Sequence, residues 1–368
     1  MLKRLHLKNF TVFADADFEF VQGLNVLVGT NGTGKSHVLK LGYVIESARY
    51  DIYKQFGSEK LADAMTNQIA WVSTLFKALP EVFLSSQLAP LIRWNVQERA
   101  QVTADFWSKS SEQLSFNLTP ASLQTDQNKS SIGLEAVSAT EAAFKPVYIP
   151  AKEILTLNWM SPASEQVVIP VERNYLDLLA QLRLLALRKT EVPDAIQSLT
   201  DIIGGEIKEE EGRYYLADMS GRQTAISMVA EGLRKFGTLQ KLLSNGSLTK
   251  QTTLFWDEPE ANLNPALLRK LAAILAALAR QGFQIILATH SMSLLKEFHI
   301  LSRQKTDKPL PIRYFGLNAE DGQPTTVVAR DDFKFLPDVV ALEAELEQAD
   351  DLEEIFARED RQFHADSN

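Results

Sequence analysis

Three short segments carry the residues best suited to chemistry. Gly29-Thr30-Asn31-Gly32-Thr33-Gly34-Lys35-Ser36 fits G-x-x-x-x-G-K-[ST], in which glycines let successive backbone N–H groups turn inward around phosphates. Lys35 would reach the β- and γ-phosphates of a nucleotide, and the Ser36 hydroxyl would sit on magnesium. The expected binding set is Gly29, Asn31, Gly32, Thr33, Gly34, Lys35, Ser36 and His37. In Thr252-Thr253-Leu254-Phe255-Trp256-Asp257-Glu258-Pro259-Glu260, an apolar strand delivers two carboxylates at its carboxyl end. Ligands of parallel sheets sit at that end. Because strand residues alternate faces, Asp257 would meet the metal and Glu258 the attacking water, with Pro259 expected to keep Glu258 extended. The third segment, Ile285-Ile286-Leu287-Ala288-Thr289-His290-Ser291, follows by one helical crossover, which brings His290 near the acids to bond a phosphate or place the water. His6, His37, His299 and His364 read as surface residues, although His37 is carried with the binding loop.

The elements that must position these residues can be traced along the chain. Residues 3–9 and 15–21 read as a strand pair with Phe18 and Phe20 on one face. The run Leu24–Val28 reads as the buried strand before the phosphate loop, and a helix follows to about Tyr50. Residues 51–88 are helical in pattern, closing at Leu79-Pro80 and again at Pro90. Ala100–Trp107 and Gln113–Leu118 suggest a hairpin, and the polar stretch 120–140 a mobile loop. A strand at 146–149, helices at 171–187 and 192–203, and a hairpin of 206–209 with 213–216 come next. A helix from near Glu231 ends at Ser244-Asn245-Gly246. Strand 252–256, helix 265–280, strand 284–288 and helix 292–299 complete a β-α-β-α order. That succession predicts an α/β fold with a largely parallel sheet flanked by helices. The expected division is a core of 1–50 and 205–335, an insertion lobe of 51–204, and a tail of 336–368.

Composition narrows the classes. Apolar residues make up 45% and charged residues 23%, which is ordinary for a globular protein. With no cysteine, a disulfide framework and a cysteine zinc site are excluded. No apolar run is long enough to cross a bilayer and the N-terminus lacks a secretion signal, so a cytoplasmic protein is expected. The net charge of −9 is uneven: the last 28 residues hold ten acids against two bases, leaving a near-neutral body. Bulk charge therefore gives no support to a strongly basic nucleic-acid binder. In the tail, Val339, Leu342, Leu346, Ala349, Leu352 and Phe356 form one apolar stripe opposite acids, which predicts an amphipathic acidic helix.

Taken together, Asn31–Ser36 after a strand, Asp257-Glu258-Pro259-Glu260 and Thr289-His290-Ser291 resemble the ABC-type ATPase heads of the SMC, RecF and OLD-nuclease group. Leu5-His6-Leu7-Lys8-Asn9-Phe10 with Gly23-Leu24-Asn25, and the loop Glu260–Pro265, are similar to that group as well. The likeness covers residues 1–50 and 205–330. It implies a P-loop fold and magnesium-dependent ATP hydrolysis, with Lys35, Glu258 and His290 catalytic and Ser36 and Asp257 on the metal. It also implies an ATP-dependent dimer in which a partner copy presents Gly232, within Ser227–Lys235, to the γ-phosphate. Ala230 stands where the group commonly has serine, and Pro150-Ala151-Lys152-Glu153 lacks the group's glutamine, leaving Lys152 or Glu153 as substitutes. The chain shows neither long heptads nor a nuclease cluster after the core. Stand-alone heads of this kind resemble ATPase components of bacterial anti-phage systems, which pair with a separate effector such as a nuclease or toxin. The alternatives are a RecF-like DNA-repair ATPase that binds DNA, a transporter's nucleotide subunit, and an ATP-binding scaffold.

Overall fold

Short apolar runs bounded by glycine and proline become strands, and the longer periodic segments become helices, in a computed structural model that describes residues 1–109, 111–119, 132–138, 141, 143–167 and 169–336, with 348, 351–356 and 358 of the tail. In chain order the elements are β1 (Leu2–Phe10), β2 (Phe13–Glu19), β3 (Leu24–Val28), α1 (Lys35–Leu61), α2 (Ala64–Phe83), β4 (Ala100–Phe106), β5 (Gln113–Leu118), β6 (Ile132–Val137), β7 (Val147–Ile149), α3 (Met160–Gln166) and α4 (Arg173–Leu182). There follow α5 (Pro193–Ile203), β8 (Gly205–Glu210), β9 (Arg213–Asp218), β10 (Gln223–Ala225), α6 (Glu231–Ser244), β11 (Thr253–Asp257), α7 (Pro265–Arg280), β12 (Gln284–Thr289), α8 (Met292–Arg303), β13 (Ile312–Asn318) and β14 (Thr326–Arg330).

The central sheet has the order β14-β13-β3-β12-β11-β7 and is parallel except for β14. Its middle strands are buried on both faces, as a parallel sheet under two layers requires. Leu254 and Trp256 face a core shared with α4 to α8, whereas Phe255 faces α1. Register is tight there: a Cβ on Gly42 of α1 would lie 2.7 Å from the Phe255 ring. A second sheet, β2-β1-β4-β5-β6, is antiparallel and packs on the other side of α1. Strands β8 to β10 form a small third sheet.

Several expectations change. Helix α1 runs on to Leu61, with a break only at Gly57 (φ 69°), so residue 50 lies inside it. Helix α2 passes through Pro80 and stops at Leu84, whose left-handed backbone (φ 48°) ends it. Pro80 lies in the last turn, where few further backbone bonds depend on it. Within the stretch read as a loop, 132–137 is a strand paired to β5, and 120–131 lie outside the described residues. Strands β13 and β14, and the joining of β4–β6 to β1–β2 in one sheet, were not anticipated. Most of the tail lies outside the described residues; 351–356 are helical, with Leu352, Ile355 and Phe356 exposed. No helix among the described residues is long and apolar enough to cross a membrane.

Candidate functional site

The phosphate loop joins β3 to α1 and is shaped by its glycines. Gly32 (φ 84°) and Gly34 (φ 90°) occupy the left-handed region, and Gly34 directly precedes the first turn of α1. The first amide of α1 with a partner inside the helix is that of Val38, which donates to the Gly34 carbonyl. The amides of Lys35, Ser36 and His37 thus lead the helix without such partners, where the dipole favours an anion. The turn between β1 and β2 braces the loop, since a Cβ on Gly34 would lie 2.6 Å from Val12 and 2.8 Å from the Phe13 ring. Thr33 Oγ1 donates to the Thr30 carbonyl at 2.9 Å. Lys35 Nζ donates to the carbonyls of Gly29 and Thr30, both at 2.7 Å, and burial lowers its pKa against the pull of Asp257 and Glu258. The His37 ring packs 6.0 Å from Phe83, so its side chain belongs to the α1–α2 contact, and burial lowers its pKa.

Strand β11 carries the acids to the same place. The Ser36 hydroxyl and buried Tyr148, on the neighbouring β7, both lie close to Asp257. Burial raises the pKa of Asp257, with the nearby Ser36 hydroxyl opposing it. Glu258 is not extended: its φ is 45°. Its carbonyl accepts from Ala261 N at 3.1 Å, closing a turn with Pro259 at the second position, where proline is favoured. The left-handed backbone swings the carboxylate out of strand alternation, placing Oε1 3.2 Å from His290 Nδ1. β11 and β12 are adjacent and parallel, so the two strand ends meet as expected.

Residues that the motifs did not single out complete the arrangement. Glu260 is mostly buried; its Oε1 accepts from the Thr289 hydroxyl at 2.5 Å and from His290 N at 3.3 Å, fixing the end of β12. Lys235 of α6 is 2% exposed and donates to the Glu258 carbonyl at 3.0 Å. Burial pushes its ammonium down to about 8, against Glu260 and Glu231. Tyr148 had a signal in the sequence, standing in a short apolar strand before Pro150. Lys235 had none, because its partner is a main-chain oxygen.

Gly232, in the first turn of α6, faces its own chain: a Cβ there would lie 2.9 Å from the Asn262 carbonyl and 3.0 Å from Leu263. Asn262 also donates to Glu231 at 2.9 Å. Ala230 caps α6 with no side-chain bond, leaving its leading amides free of a serine hydroxyl. Glu153 is buried and accepts from the Thr156 hydroxyl at 2.6 Å and from Arg234 at 3.1 Å, so it ties the loop after β7 to α6. Among the described residues, Lys152 makes no hydrogen bond or ion pair with the site.

A glycine-shaped loop at a helix start, faced by a strand-end carboxylate beside the loop's own serine, is the arrangement of the P-loop NTPase fold. Residues 124–296 match the family described as "AAA domain, putative AbiEii toxin, Type IV TA system", and residues 4–41 match one described as "AAA domain". No curated protein matches the chain. Among solved structures, a SmcHead bound to the C-winged helix domain of ScpA is similar with a TM-score of 0.54 at 15% identity, covering 90% of this chain and 98% of that one. The SMC head domain from Thermotoga maritima gives 0.48 at 15%, covering 89% and 98%. An Smc head domain with an extended coiled coil, bound to the C-terminal domain of ScpA derived from Pyrococcus furiosus, gives 0.48 at 13%, covering 96% and 99%. At this identity the likeness is one of fold: the chain has the fold of an SMC-type ATPase head.

Proposed function

We propose that the chain binds ATP with magnesium and hydrolyses it, two copies closing on the nucleotide and parting afterwards, as a switch for a separate effector protein. The observation that carries this reading is the convergence at adjacent strand ends of Asp257 on Ser36 and of Glu258 on His290. A hydroxyl and a carboxylate are hard oxygen donors of the kind magnesium takes, so Ser36 and Asp257 fit it. Bound there, the ion would supply charge neutralisation for the phosphates.

The chain's own residues do the rest. Lys35 exchanges the Gly29 and Thr30 carbonyls for phosphate oxygens, and the amides of the loop and first helical turn cradle the β-phosphate. Glu258 orients the attacking water and takes its proton, while His290 holds the carboxylate and reaches toward the γ-phosphate. The start of α6 around Gly232, from the second copy, closes over the γ-phosphate. Hydrolysis turns one bridging anion into two that separate, and the pair opens.

The family description matching 124–296 names a putative toxin of a toxin–antitoxin system, which supports a toxin-type setting for the switch. On our reading the effector is a toxin or nuclease and the role is anti-phage defence in the cytoplasm. The solved head that binds a ScpA domain supports docking of a separate protein on such a fold. The test is phosphate release together with light scattering. Wild type should turn over ATP, and Glu258→Gln should retain ATP and accumulate as a closed dimer. Undiminished turnover in Glu258→Gln would remove the assigned site, and monomers at saturating ATP would remove the pairing. Turnover stimulated by DNA would favour the RecF-like reading.

A further inference from the structure

Lys235 is a buried cation whose hydrogen bond, among the described residues, ends on the main chain of the acid proposed to place the water. Glu258 sits at φ 45° directly before a proline, a backbone region that a side-chain-bearing residue in this position disfavours. Strained backbone of this sort persists only where surrounding contacts over-determine it. Two donors converge on the Glu258 carbonyl: Ala261 N at 3.1 Å from within the turn, and Lys235 Nζ at 3.0 Å from α6. The acids around the ammonium are Glu260, Glu231, Glu258 and Asp257. Among the described residues, only the Glu258 bond joins it to the turn that aims a carboxylate at His290.

We propose that Lys235 is a positioning residue for hydrolysis: by gripping the Glu258 carbonyl it holds the left-handed turn that directs the Glu258 carboxylate to His290. The inference rests on the reading of Glu258 given under Proposed function. It adds that the aim of this carboxylate is set by α6, the helix whose first turn carries Gly232. Lys235 touches neither the phosphate loop nor Asp257 by any hydrogen bond, so its loss should act on turnover and leave nucleotide capture alone.

The test compares Lys235→Met, which keeps the volume and removes the donor, with Lys235→Arg, which keeps a donor. Each is measured for ATP turnover and for the affinity of a fluorescent ATP analogue. Lys235→Met should lower kcat about 10- to 100-fold, with nucleotide Kd changed by less than about threefold, and Lys235→Arg should recover at least a third of the loss on a logarithmic scale. The same Met substitution placed on Glu258→Gln should change the residual rate by less than about twofold, because residues acting as a unit are non-additive. A merely structural lysine would lower both backgrounds alike and weaken nucleotide binding with them. Wild-type kcat in Lys235→Met, or an equal loss in the Glu258→Gln background, would overturn the proposal. If wild type hydrolyses no ATP, the function reading fails and this inference goes with it; if wild type turns over and only Lys235→Met is silent, the function reading stands alone.

Discussion

His290 Nδ1 lies 3.2 Å from Glu258 Oε1, so the ends of two adjacent parallel strands are joined by an acid–imidazole contact. Half of the His290 side chain is open to solvent, which leaves the contact on the side from which a nucleotide would arrive. If the pair works as one device, His290→Ala should lower kcat about 10- to 100-fold, and adding it to Glu258→Gln should cost little more. Steady-state phosphate release on the two single variants and the double checks this. Multiplicative losses would mean that the residues act separately.

The phosphate loop offers a contrast between two glycines. Gly32 has a left-handed backbone but open space where a Cβ would go, so Gly32→Ala should cost only about 1–2 kcal/mol of stability. Gly34 has the same backbone with Val12 and Phe13 in the way, and Gly34→Ala should cost more and abolish ATP binding. Lys35→Ala should lose ATP affinity with little change in stability, since the lysine's partners are loop carbonyls. Calorimetric titration beside urea unfolding separates these cases, and full affinity in Lys35→Ala would place the nucleotide elsewhere.

Lys235 makes a pH prediction with a defined sign. Its folded pKa is about 8 against 10.5 in the unfolded chain, so the folded state binds its proton less well. Stability should therefore rise with pH between about 8 and 10.5, relative to Lys235→Met, by on the order of 3 kcal/mol. Below pH 8 the difference should be flat. Urea midpoints of the two proteins across pH 7 to 10.5 give the answer, and parallel curves would contradict it.

The pair Arg49–Glu112 joins α1 to the segment before β5, and both side chains are almost wholly buried. The Arg49 guanidinium also lies 4.6 Å from the centre of the Phe106 ring. Removing one partner leaves an uncompensated charge in the core, so Glu112→Ala should destabilise by about 3–5 kcal/mol. Denaturant titration measures this, and a loss under about 1 kcal/mol would show that water reaches the arginine.

What could be read from the sequence was what lies contiguous in it. The phosphate loop, the Asp257-Glu258 step and Thr289-His290 each combine an apolar strand with its functional end, so local spacing carries their geometry. The neighbouring of β11 and β12 followed from a single crossover. The left-handed Glu258 did not, because its backbone answers to a turn closed by Ala261 and to a lysine on another helix. Glu260 stood within the acidic motif without a role of its own, and its bonds to Thr289 and His290 depend on sheet order. The antiparallel sheet was hidden for the same reason: β1 finds its second neighbour in β4, about a hundred residues on. Pro80 misled because a proline late in a helix breaks few bonds.

Arg234 and Lys235 are consecutive, yet one is bonded to Glu153 beyond β7 and the other to Glu258 beyond β11. A helix that clasps two neighbouring strand exits cannot swivel without dragging both. Whatever settles on its leading turn should therefore stiffen both exits at once, and hydrogen–deuterium exchange should slow together at the Leu155 amide, held by Glu153, and the Glu258 amide, held by Ala288.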